Sequence, residues 1–141
     1  MSEKNCSFCE ISDSKSLALY WIVRLADMPE TVKSAVKEGA DKNWFHHSFS
    51  LLCTALWYKK FENAHVLLDL EADVNAPTQN DKSTALMIAV LRGREDLVSR
   101  LRKMGANKDA KMIDGDDALA HVAVCDNPDP EVRARLVELL K

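Results

Sequence analysis

TALMIAVLRGREDLVSRLRKMGANKD, residues 84–109, reads as two short helices and a stop. The first helix is expected over roughly Ala85–Leu91, ending near Gly93, and the second over roughly Asp96–Met104. Leu97, Val98 and Leu101 fall at i, i+1 and i+4, one apolar stripe at helical spacing. Gly105 then follows Lys103 and Met104, where a helix end favours left-handed backbone. The stretches NAPTQNDKS (75–83) and DAKMIDGDD (109–117) on either side are polar and turn-rich, and read as extended connectors.

The pattern recurs along the chain. SLLCTALWYKKFENAHVLLDLEADVN (50–75) aligns without gaps on residues 84–109, pairing Leu52 with Leu86, Ala55 with Ala89 and Leu67 with Leu101. GADKN (39–43), EADVN (71–75) and GANKD (105–109) close three successive units, their starts 32 and 34 residues apart. Helices this short are not stable alone in water. Each pair leaves an apolar face that only another pair can cover, so the units are expected to stack into an array of local contacts.

Thr84, Leu86, Ala89, Gly93, Leu101, Gly105 and Ala106 fall on the columns of the ankyrin repeat, whose pattern begins T-P-L-H-x-A and ends G-A-D-V-N-A. Ala55, Leu67, Leu68, Ala72, Asp73, Val74, Asn75 and Ala76 do so in the preceding unit. The chain therefore resembles the ankyrin-repeat family over residues 17–141. The resemblance implies an all-α, ankyrin-type solenoid of stacked helix-turn-helix repeats with short hairpin-like connectors. A polar tail at 1–16 and a single domain at 17–141 are expected, with repeats at about 17–43, 44–76, 77–110 and 111–141. The first and last units depart from the pattern. The first lacks the opening motif, and the fourth carries a long DNPDP turn (126–130).

Charge excludes some functions. The net charge is −3, and residues 1–50, 51–100 and 101–141 each carry one more acid than base. That balance supplies no field for nucleic acid or an anionic membrane. No apolar run approaches the ~20 residues that span a bilayer. The polar N-terminus lacks a signal-peptide core, so a cytoplasmic location is expected, with nuclear or host-cell cytosol as variants. Four cysteines without a secretory signal read as reduced thiols.

Chemistry has few places to reside. Cys6 and Cys9 have the spacing of half a zinc ligand set, but no second half follows, and the redox reading lacks a βαβ context. Two free thiols in a tail are the plainer reading. No nucleophile elbow, P-loop or metalloprotease motif occurs, so neither catalysis nor a cofactor is expected. His121 stands near the column of the family's T-P-L-H histidine, where it would order a turn.

The resemblance implies a concave partner surface built from connector tips and the exposed side of each first helix. Its exposed columns hold Trp57 and Tyr58 in the second unit and Leu91 and Arg92 in the third. The connector NWFHHSFS (43–50) places Trp44, Phe45, His46 and His47 where the family has a polar tip. Tryptophan, tyrosine and arginine are enriched at binding hot spots. These aromatics either grip a partner beside Trp57 and Tyr58 or fold down to brace a short hairpin, joined by Tyr20 and Trp21. If His46 and His47 touch a partner, their charging between about pH 5 and 7 would weaken binding on acidification. The expected function is binding another protein as a monomer, as a stoichiometric inhibitor or a host-directed effector. The alternatives are a zinc or redox protein using Cys6 and Cys9, and a self-associating scaffold.

Overall fold

The computed structural model describes residues 14–46, 48–127 and 129–141. The elements in order are α1 (Ser14–Leu25), α2 (Pro29–Lys37), β1 (Phe45–His46), β2 (Phe49–Ser50), α3 (Leu51–Trp57), α4 (Phe61–Asp69), α5 (Ala85–Leu91), α6 (Glu95–Lys103), α7 (Ala118–Val122) and α8 (Pro130–Leu139). The helices of the 84–109 stretch are those expected, α6 starting one residue early. The first helix begins at Ser14, inside the stretch expected as a polar tail. The chain divides into two compact units, up to Ala72 and from Asp73.

The first helices of the last three repeats, α3, α5 and α7, start on a side-chain cap. Ser50 and Thr84 accept from the amides of Cys53 and Met87, both at 3.3 Å, and Asp117 accepts from that of Ala120 at 3.1 Å. Such a cap satisfies an amide that the helix itself leaves orphaned. Each second helix up to α6 ends the same way. The amides of Ala40, Ala72 and Ala106 reach back five residues to the carbonyls of Ala35, Leu67 and Leu101, at 3.0, 3.0 and 2.9 Å. The closure needs positive φ just before it, and Gly39, Glu71 and Gly105 supply φ of 110°, 61° and 92°. Beyond the closure Asp41, Asp73 and Asn107 each accept, at 2.9 Å, from the amide two residues on. The GADKN period is thus a hydrogen-bonding period.

In the first unit α1 packs on α3 and α2 on α4, around Leu19, Val23, Val32, Leu52, Leu56, Leu67 and Leu68. In the second, α5 packs on α7 and α6 on α8, around Leu86, Met87, Ile88, Leu97, Leu101 and Leu136. First helix covers first and second covers second, the stacking that short amphipathic helices need. Burying a leucine fully contributes about 2 kcal/mol, and each pair alone would forfeit most of that.

Asn63 departs from the apolar pattern. It is fully buried at the column that Leu97 fills one repeat later. Its amide group donates to the carbonyls of Ala26 at 2.7 Å and Val23 at 3.3 Å, at the C-terminal end of α1. Asp27, just past α1, accepts in return from the backbone amides of Asn63 at 2.9 Å and Glu62 at 3.4 Å. Two helix ends cap one another across 36 residues of chain. The Oδ1 atom of Asn63 is buried without a hydrogen-bond partner, a cost the paired donors must outweigh.

Candidate partner-binding site

The NWFHHSFS connector forms a tight hairpin in which Phe45 pairs with Ser50 and His46 with Phe49. With two residues in each strand, Phe45 and His46 face opposite ways. His46 points inward and is 4% exposed. Its ring lies 4.1 Å from that of Tyr20 and stacks at 28° on Trp44, with centroids 5.6 Å apart. Trp44 is itself 7% exposed. The expectation that Trp44 and His46 project from the tip is therefore corrected. Burying His46 against Tyr20 of α1, with Trp44 stacked on His46, removes more apolar area from water than a projecting tip would. Phe45 is half-buried. His47 lies outside the described residues, as do Cys6 and Cys9.

Trp57 and Tyr58 turn outward. Leu51 through Leu56 are all buried, so α3 has no solvent face until it ends. It ends at Trp57, and Lys59 reverses the chain at φ 62°. The two aromatics stand at that reversal, 43% and 40% exposed. Tyr20, His46, Phe49, Thr54, Trp57 and Tyr58 line a cavity of about 170 Å³ there. Phe49 meets Trp57 edge to face, with centroids 6.0 Å apart. Arg24 of α1 lies between Trp21 and Tyr58, its guanidinium carbon 5.3 and 4.9 Å from the ring centres. Such contacts attract a cation to the negative face of the ring.

Leu91 and Arg92 stand at the matching columns of the third repeat, where Leu91 is half-buried and Arg92 is drawn into an ion pair. The Leu91 carbonyl accepts from the amide of Asp126 at 2.6 Å. Arg92 pairs with the Asp126 carboxylate at 2.8 Å and leaves only 12% of its side chain exposed. The long turn of the fourth repeat folds back onto this column, which is why Arg92 does not stand out as an exposed anchor. His121 lies one residue past the expected column, its Nδ1 2.8 Å from the Asp117 carbonyl, so it does order the turn of its own helix.

Arg24 and the cavity itself were not legible in the sequence. Arg24 reads as an ordinary basic residue near a helix C-terminus, and only the fold sets it against Tyr58, 34 residues on. Cys53 and Cys125 are buried thiols. Among the described residues no group of three or more histidines, cysteines or acids could hold a metal ion. No described helix is long and apolar enough to cross a membrane.

A family profile for the ankyrin repeat matches residues 81–113. The chain is also similar to the ankyrin repeat and KH domain-containing protein mask-1 of Caenorhabditis elegans, with 30% identity over 92 residues. That match covers 65% of this chain and 4% of the relative's length.

Proposed function

Since the chain belongs to the ankyrin-repeat family, whose repeats serve as interaction modules, we propose that it acts without catalysis, by holding a partner protein on the face that carries Trp57 and Tyr58. The observation that carries this reading is the exposure of two large aromatics beside a cavity, directly after six buried residues of α3. The two rings stand outside the buried core, 43% and 40% exposed, and supply rigid contact area at low entropic cost. Of the residues expected at the interface, Trp57 and Tyr58 remain as anchors and Phe45 stands at the margin. Trp44 and His46 support the surface from below. By covering a partner's own working surface the chain would act as a stoichiometric inhibitor, the role we favour, with the cytosol as its place of action.

The test is capture from the native source with three baits: wild type, a Trp57→Ala/Tyr58→Ala double variant, and Trp44→Ala. The double variant should stay folded, losing only about 1–2 kcal/mol with its Phe49 and Arg24 contacts, and lose the captured protein. Trp44→Ala, which empties a core position, should lose about 3–5 kcal/mol of stability. If the double variant retains every captured protein, this face is not the interface.

A further inference from the structure

We propose that the cavity beside Trp57 and Tyr58 is a cage for a quaternary ammonium group, presented by the partner as a trimethylated lysine side chain. The proposal rests on the reading of this face as the binding face and names what that face recognises.

Five of the six lining residues are aromatic: Tyr20, His46, Phe49, Trp57 and Tyr58, with Thr54 as the sixth. Phe49 and Trp57 stand at 79° to one another, so their rings form adjoining walls. Tyr20 and His46, both buried and tilted at 43°, close the floor. The volume of about 170 Å³ exceeds that of a single water several-fold and admits a compact branched head group. The faces of such rings are negative and attract cations. The Tyr58 ring already attracts one cation, the guanidinium of Arg24, which is not among the cavity's lining residues.

The kind of cation follows from the lining. None of its residues is acidic. An unmodified lysine ammonium is strongly hydrated and brings three N–H donors, which would enter this cavity without a carboxylate to receive them. A guanidinium is planar and fits between two rings, the arrangement Arg24 already has with Trp21 and Tyr58. A trimethylammonium group has no N–H to satisfy, gives up little hydration, and offers methyl groups to every wall. It is the cation that loses least on entering an aromatic box without acids.

The probe is choline, set against its neutral isostere 3,3-dimethylbutan-1-ol, each titrated into the full chain and followed by two-dimensional amide spectra. Choline should shift the Phe49 and Thr54 amides and the Trp57 indole saturably, in the millimolar range. The isostere should bind about fivefold more weakly, the ratio one exposed cation–π contact supplies. Trp57→Ala should abolish the shifts at Phe49 and Thr54 while the amide spectrum stays that of the folded chain, and Trp57→Phe should restore them in part. A trimethyllysine tripeptide should behave as choline does, and its unmodified counterpart should not bind. Equal binding of the two isosteres, or choline shifts that survive in Trp57→Ala, would overturn the cage. If choline fails while capture through Trp57 and Tyr58 succeeds, only the cage falls. If choline binds and capture fails, the cage stands and the protein-binding reading falls.

Discussion

Asp81 shows how a single side chain organises a connector. Its carboxylate accepts from the Thr78 hydroxyl at 2.5 Å, the Ser83 hydroxyl at 2.8 Å and the Ser83 amide at 3.1 Å. Partial burial pushes its carboxyl upward, but the hydrogen bonds from Thr78 and Ser83 outweigh that and hold it below the ordinary value. A carboxyl lowered in the folded state stabilises the fold above its unfolded value, near pH 4, and that contribution fades as pH falls through the folded value. Asp81→Asn should therefore melt below wild type at pH 7, and the gap should close below about pH 4. A gap constant between pH 7 and pH 2, measured by thermal unfolding, would show that the charge on Asp81 contributes nothing. Asn63 and Asp27 make the same point in the core, where one polar side chain in an apolar column ties two helix ends together.

At the scale of the helix, the recurring device is the left-handed residue that ends each turn of the pattern. Gly39, Gly93 and Gly105 hold it without strain, whereas Lys59 and Glu71 hold it at φ 62° and 61°. A side chain in that conformation costs about 1 kcal/mol, partly offset by the chain freedom that glycine loses on folding. Glu71→Gly should accordingly stabilise the protein by about 0.5 kcal/mol. Gly93→Ala should do the reverse, and more strongly. Besides its φ of 69°, a Cβ there would stand 2.5 Å from the Cβ of Asn127. A loss of about 2–3 kcal/mol is expected from strain and contact together. Chemical denaturation of the two variants checks both signs, and a Gly93→Ala protein as stable as wild type would show that the fourth repeat's turn yields to it.

For the whole molecule the question is whether anything besides a partner covers its apolar surface. Ile113, Leu119 and Val124 of the second unit are 71%, 51% and 65% exposed, although Leu119 occupies the column at which Leu52 and Leu86 are buried. A self-associating scaffold would use these residues. We propose instead a monomer, because three exposed side chains make a small apolar set. Light scattering should give a mass near 15.8 kDa at every concentration. A mass that doubles with concentration, and returns to the monomer value in Leu119→Glu, would instead assign that surface to a second copy.

The period, the helix limits of residues 84–109 and the stacked all-α repeat class were determined by sequence alone. Each of these rests on local rules: the recurring closures at 39–43, 71–75 and 105–109, an apolar stripe at Leu97, Val98 and Leu101, and a left-handed stop at Gly105. Such rules act within a few residues and survive in any context. The candidate site was legible only in part. Trp57 and Tyr58 were readable as exposed because the ankyrin resemblance puts their columns on the partner face. Tertiary structure alone decided the rest. His46 turned inward against Tyr20 and Trp44 stacked on it, Arg92 was drawn aside by Asp126, and Arg24 came to Tyr58. Save for the Trp44–His46 stack, these contacts join residues more than 20 positions apart. A side chain's direction there depends on which distant surface offers the larger burial or the opposite charge, and no local pattern encodes that.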